Sequence, residues 1–256
     1  MIVEGSKHQQ LRSCLNCQSE TAGAYCANCG QKASTHRYSL IHFMEHDLIH
    51  GVWHVDKGVL FTVKELILRP GDSVREFIQG KRVGFFSFVT LIILLLAISS
   101  LLAPYVQVHL ADIMPPNSKQ TFSAYENFAT KYPKVIILIL IPLYSSFSYF
   151  WFKKAKLNYS EHLVLNSYKT AVELILALLF TIITIFYTHI PTLLIIYYVF
   201  VAMGGFLYSI WFYSQFFTGY GYSRSSKLWR AIMVSVSYLI ISLVIGFLMA
   251  LIKLIS

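Results

Sequence analysis

From Phe85 onward the chain gathers its apolar residues into five long tracts, whereas the first 84 residues mix short apolar groups with polar and charged ones. About 20 consecutive apolar residues span the hydrocarbon core of a bilayer as a helix. "FFSFVTLIILLLAISSLLAPY" (Phe85 to Tyr105) is the first such tract, and "VIILILIPLYSSFSYFWF" (Val135 to Phe152) is a shorter one carrying Pro142. "AVELILALLFTIITIFY" (Ala171 to Tyr187) follows a polar extension. "PTLLIIYYVFVAMGGFLYSIWFYSQFF" (Pro191 to Phe217) is long enough to tilt or to kink at Gly204-Gly205, and "AIMVSVSYLIISLVIGFLMALI" (Ala231 to Ile252) is the last. The pattern predicts an all-α integral membrane protein of about five transmembrane helices, occupying residues 85–256.

Upstream, the period changes. At roughly 100° per residue, Ile41, Met44, Leu48, Val52 and Val55 share one face of a helix. His42, His46, His50 and His54 cover the other, interleaved with Phe43 and Trp53. "DKGVLFTVKELILRPGDSVREFIQGKR" then reads as two short helices. Val59 to Leu68 is amphipathic and ends at Pro70-Gly71; Asp72 or Ser73 is expected to cap the second, with Glu76 near its start. Lysines and arginines alternate here with Phe61, Leu66, Phe77 and Ile78, a mixture suited to the headgroup layer. Residues 36–84 are thus expected to form an interfacial helical collar, and residues 1–35 a small separate head. "MPPNSKQ" (Met114 to Gln120) reads as an external turn.

Composition agrees with the pattern. The chain is 56% hydrophobic and 13% charged, against roughly 25% charged in ordinary soluble domains. The opening "MIVEGSKHQQLRSC" lacks the apolar core of a secretory signal, so the first tract is expected to be a retained anchor. Lys81 and Arg82 precede the first tract, Lys153, Lys154 and Lys156 follow the second, and Arg224, Lys227 and Arg230 lie between the fourth and fifth. With five crossings these clusters fall on one side. The positive-inside tendency then puts the N-terminus in the cytoplasm and the C-terminus outside, in a plasma or inner membrane. The net charge of +9 is absorbed by these flanks and by anionic headgroups, and no nucleic-acid partner is expected.

Four cysteines carry the clearest chemistry. "CLNC" and "CANCG" put Cys14, Cys17, Cys26 and Cys29 in two C-x-x-C units eight residues apart. Each unit can offer two thiolates to one ion, and together they complete the four-sulfur tetrahedral shell of a structural Zn2+. In a reducing compartment this reading precedes disulfides or redox pairs. A closed shell of four sulfurs leaves no position for catalysis.

Two further constellations are weaker. The histidines at 42, 46, 50 and 54 are expected to be the wet face of an interfacial helix; a second metal site or a pH sensor remain the alternatives. His162, Asn166, Lys169 and Glu173 form one stripe running into the third tract, with Glu161 beside it. Ionisable groups within a span are functional candidates, and Lys169 and Glu173 are spaced to pair. Structural pairing, a ligand or lipid-headgroup site, and catalysis are the three readings, and no catalytic residue is assigned.

"CLNC…YCANCGQK", "HDLIHGVWHVDKGVLFTVKELILRPGDSVREFIQGKRVGFFSF" and "YSEHLVLNSY" resemble the domain-of-unknown-function 3667 family of bacterial membrane proteins. The words "DKG", "RPG", "REFIQGKR" and "EHLV" carry most of that resemblance, which covers roughly residues 14–90 and the patch around Glu161-His162. "VGFFSF" departs from relatives that run through Asn-Pro before the first span. The resemblance implies a zinc-ribbon head on a multispanning membrane protein and supplies no activity. The expectation is a non-enzymatic scaffold or regulator whose ribbon and basic collar contact a partner protein or anionic lipid. The alternative is a small transporter or lipid-handling protein using the polar stripe; the absence of a visible internal repeat gives no support to an inverted-repeat transporter.

Overall fold

Residues 12–35, Tyr38 and residues 58–255 are described by a computed structural model; the histidine ladder at His42, His46, His50 and His54 lies outside them. Apart from the head, the described chain is almost entirely helical. Two two-residue strands, β1 (Arg12–Ser13) and β2 (Glu20–Thr21), pair antiparallel in the head. The collar is α1 (Gly58–Leu68) and α2 (Pro70–Ile78). The remainder comprises α3 (Phe88–Leu102), α4 (Leu110–Ile113), α5 (Pro116–Lys131), α6 (Pro133–Trp151), α7 (Tyr159–Phe186), α8 (Ile190–Ile196), α9 (Gly204–Phe216) and α10 (Arg224–Ile255).

Among the described residues, three helical stretches are long and apolar enough to cross a membrane: Phe88–Tyr105, Tyr159–Phe186 and Ile190–Phe216. The second expected tract forms a shorter apolar helix, Val135–Trp151. The polar run before Ala171 belongs to the same helix as the tract after it, as a stripe running into the third tract requires, because Asn158 and Glu161 cap that helix twelve residues earlier than the apolar tract begins. One feature departs from the sequence reading. The region read as an external turn is helical, with Pro116 in the first turn of α5, where its missing N–H costs nothing. Between α8 and α9 the backbone widens to a π-helix over Tyr197–Met203, directly before the Gly204-Gly205 pair.

The bundle is packed unevenly along its length. Between Ser160 and Val172 of α7 every residue but Leu163 is buried, while from Glu173 to Ile183 none is. The buried residues of α3 run from Phe88 to Leu95, those of α9 from Ser209 to Phe216, and those described in α10 from Ala231 to Tyr238. One end of the bundle is therefore the dense one. The C-terminal ends of α6 and α9 and the N-terminal ends of α7 and α10 meet there. Phe152 and Phe217 stack with centroids 3.6 Å apart, the His162 ring lies 6.0 Å from Phe217, and Arg230 donates to the Trp151 carbonyl at 2.6 Å. At the opposite end α4 and α5 cap a small second cluster of Val108, Ile113, Met114 and Leu193.

The collar closes onto the dense end. Its second helix differs from expectation at its start: Arg69, non-helical at φ −141° and ψ 53°, precedes Pro70, and no side chain of the helix's own caps it. The cap comes from across the fold. Gln215 Oε1 accepts from the Gly71 N–H at 2.8 Å and lies 3.4 Å from the Asp72 N–H. In return the Arg75 guanidinium donates to the carbonyls of Gln215, Phe216 and Thr218 at 2.8 to 3.2 Å, closing the C-terminal end of α9. A Cβ on Gly71 would stand 2.2 Å from the Phe216 nitrogen, so only glycine allows this approach. These residues come from the "RPG" and "REF" words, whose physical content is this end-to-end helix contact.

Candidate metal centre and buried polar cluster

Each C-x-x-C unit folds into the same turn. In the first, the Cys14 N–H donates to Ser19 O and the Gln18 N–H to Cys14 O, both at 2.9 Å. In the second, Cys26 N–H donates to Gln31 O at 2.8 Å and Gly30 N–H to Cys26 O at 2.9 Å. The residue after the second cysteine is left-handed in both, Gln18 at φ 65° and Gly30 at φ 74°. That conformation turns the following N–H groups back toward sulfur.

The four Sγ atoms lie within 4.8 Å of one another, with Cys14–Cys29 and Cys17–Cys26 each 3.6 Å apart, and all four are unbridged. A tetrahedral ion at about 2.3 Å from each sulfur would space them about 3.8 Å apart. The cluster fits a metal of that kind. Its electrostatics are set by local donors. The Ser19 hydroxyl and then its N–H hold Cys17 down at about 6. The Cys29 N–H, the Thr21 hydroxyl and the Asn28 N–H lower Cys26. At Cys29 the Gln31 N–H works downward, but desolvation and the three neighbouring sulfurs push it up to about 11. Local donors thus favour the thiolate form at Cys17 and Cys26, and a cation would relieve the repulsion among the sulfurs at Cys29.

The head is fixed to the collar by a residue outside the cysteines. Helix α2 ends in a Schellman turn: Gly80, at φ 109°, donates to Phe77 O at 3.1 Å and Lys81 to Glu76 O at 3.0 Å. The Gln31 carboxamide then donates to Gly80 O at 2.8 Å and accepts from the Arg82 N–H at 3.1 Å. Just beyond, the Phe86 peptide is gripped from two sides, its N–H by Thr62 Oγ1 at 2.7 Å and its carbonyl by the Tyr168 hydroxyl at 2.9 Å.

The polar stripe of α7 divides in two. Glu161, buried, belongs to the helix start: its carboxylate accepts from the Asn158 N–H at 2.8 Å, and Asn158 Oδ1 accepts from the Glu161 N–H at 2.9 Å. His162, Asn166 and Lys169 face the bundle. Ser148 Oγ of α6 lies 2.9 Å from His162 Nδ1 and accepts from Asn166 Nδ2 at 2.8 Å. Asn166 Oδ1 accepts from the hydroxyls of Tyr213 at 2.6 Å and Tyr238 at 2.8 Å, and these two hydroxyls also touch. Lys169 Nζ sits 4.1 Å over the Tyr238 ring and 5.1 Å from that of Tyr144, and pairs with Glu173 at 2.6 Å. Four helices thus meet on one asparagine and one lysine. Ser148, Tyr144, Tyr213 and Tyr238 escaped the sequence reading because each lies in an apolar tract and none has a spacing that points to α7. Gln31 and Gln215 escaped it too, although Gln31 stands inside the quoted "CANCGQK".

Residues 56–99 match the family model described as a protein of unknown function, DUF3667. That stretch contains the collar and the first part of α3, and the match agrees with the resemblance carried by "DKG", "RPG" and "REFIQGKR". Neither a curated protein nor a solved structure matches the chain. Over its collar and the start of its first long apolar helix, the chain is therefore similar to the DUF3667 family model.

Proposed function

We propose that this protein is a non-enzymatic membrane scaffold or regulator, with a structural zinc ribbon seated on a basic collar at the cytoplasmic face. The observation that carries this reading is the pair of matching turns that brings four sulfurs within 4.8 Å. Four sulfurs close the coordination of zinc, so the ion would order the head and supply no open position for chemistry. Cys14, Cys17, Cys26 and Cys29 would hold it. The head is then a rigid surface presented to a partner protein or to anionic lipid. Five crossings of a bacterial inner membrane, N-terminus inside, complete the proposal. In support, the helix ends bearing Lys153, Lys154, Lys156, Arg224, Lys227 and Arg230 converge at the dense end, where the collar with Lys81 and Arg82 also lies.

The test is purification in mild detergent followed by identification of bound metal, lipid and protein. We expect about one equivalent of zinc per chain, its loss in Cys26→Ser, and a retained anionic lipid or a stoichiometric protein partner. Full metal retention in a variant with all four cysteines replaced by serine would place the ion elsewhere and overturn the ribbon.

A second reading, a small transporter or lipid-handling protein, draws on one observation. Glu173 is 40% exposed on its side chain, within a candidate span, while its partner Lys169 is 3% exposed. A half-open carboxylate at such a depth is costly unless something meets it. Solute- or lipid-dependent flux in liposomes holding this protein alone would replace the scaffold reading with this one.

A further inference from the structure

Gln31 belongs to two structures at once. Its backbone closes the second cysteine turn, accepting from the Cys26 N–H and directing its own N–H at Cys29 sulfur. Its side chain, on a residue only 5% exposed, holds the Gly80 carbonyl and the Arg82 N–H. The first cysteine turn reaches the same place: Leu15, next to Cys14, packs on Gly80 so closely that a Cβ there would stand 2.6 Å from Leu15 Cδ1. Both turns therefore rest on one glycine, and that glycine closes the helix that leads to the first candidate span.

We propose that metal occupancy of the cysteine cluster governs the order of the Gly80–Phe86 turn at the inner mouth of the first span, with Gln31 as the coupling residue. The effector is the zinc ion itself, or any chelating or thiol-reactive agent that removes it. This rests on the metal reading above.

The physical case has three steps. The described head has two strands of two residues each and contributes two buried cysteines but no larger apolar core of its own, so it needs the ion to stay folded. When the ion leaves, nothing ties the four sulfurs of the two turns into one shell, and the turn that positions Gln31 opens. Gly80 O and Arg82 N–H then lose their shared partner at a buried site, where an unmet peptide group is unfavourable. The segment from Gly80 to Phe86 must rearrange to find water, pulling on the Phe86 peptide held between Thr62 of α1 and Tyr168 of α7. The coupling is reciprocal: whatever loosens the turn must weaken the metal by the same factor.

The experiment uses the full chain in nanodiscs. Backbone hydrogen exchange at residues 80–86 is measured with zinc bound and after removal by EDTA. Zinc affinity is measured by equilibrium competition with a chromogenic chelator in the parent protein, in Gln31→Ala and in Gly80→Ala. The last substitution lies in the collar, where its added Cβ meets Leu15 of the head. We expect exchange at 80–86 to rise about tenfold or more on metal removal while the core of α7 is unchanged, and zinc affinity to fall about tenfold in both variants. Exchange at 80–86 that ignores zinc, or parent-like zinc affinity in Gly80→Ala, would overturn the coupling and leave the metal reading standing. A chain that contains no zinc and takes up none on titration would overturn both.

Discussion

The two ends of the Lys169–Glu173 pair have different surroundings. Lys169 is enclosed, under the Tyr238 ring and near that of Tyr144, whereas Glu173 stands where α7 leaves the packed half of the bundle. Removing the carboxylate leaves an ammonium in a site closed to water. Removing the lysine leaves a carboxylate that is already 40% exposed and can turn outward. We therefore expect Glu173→Leu to destabilise by about 3 kcal/mol and Lys169→Leu by less, with the double leucine variant recovering much of the loss. Thermal unfolding of the four proteins in detergent gives the cycle, and additive effects would rule the pairing out as a source of stability. The spacing of Lys169 and Glu173 announced the pair in advance because i, i+4 contacts are local. Nothing local announced Tyr238, which lies 72 residues from the asparagine it bonds.

Among the elements, α2 depends most on its neighbours. Its start is capped by Gln215 and its Gly71 lies against the backbone of α9, so two substitutions separate the two effects. Gly71→Ala forces backbone apart and should cost about 3 kcal/mol or more. Gln215→Ala removes only the cap and should cost about 1 kcal/mol. Equal effects in thermal unfolding would show that the close approach is not the tighter constraint. The α1–α2 elbow adds a pH dependence. Burial works to raise the Glu65 carboxyl, but the Ser73 hydroxyl at 2.7 Å and the Arg69 guanidinium at 2.6 Å outweigh it and hold the carboxyl below the ordinary glutamate range. A lowered folded-state value stabilises above the unfolded value and is lost as the pH falls through the folded one. The collar should therefore loosen below about pH 4, by a small amount because Arg69 is half exposed. Glu65→Gln should flatten the pH profile of its proteolysis, and an unchanged profile would discount the network.

For the whole molecule, the decisive expectation is the alternation of its long helices. Reporter fusions placed after Lys156 and at Ser256 should lie on opposite sides of the membrane. Finding both on one side would remove a crossing and, with it, either the cytoplasmic placement of the basic clusters or the external placement of the C-terminus.

By itself the sequence determined what is local. The C-x-x-C spacing brings sulfurs together because each turn is closed by hydrogen bonds within six residues, and apolar tracts become helices because lipid or core leaves their peptide groups no other partners. Even the Schellman end of α2 is written in "IQGK". Tertiary structure decided the rest: that Gln31 clasps a turn 49 residues away, that Gln215 caps a helix 144 residues away, and that Asn166 gathers two tyrosines from other helices. A glutamine or tyrosine in sequence carries its donors and acceptors but not the direction in which they will be met. Helix packing supplies that direction, because an unpartnered polar group is costly when buried and most find a partner among whatever the other helices bring near.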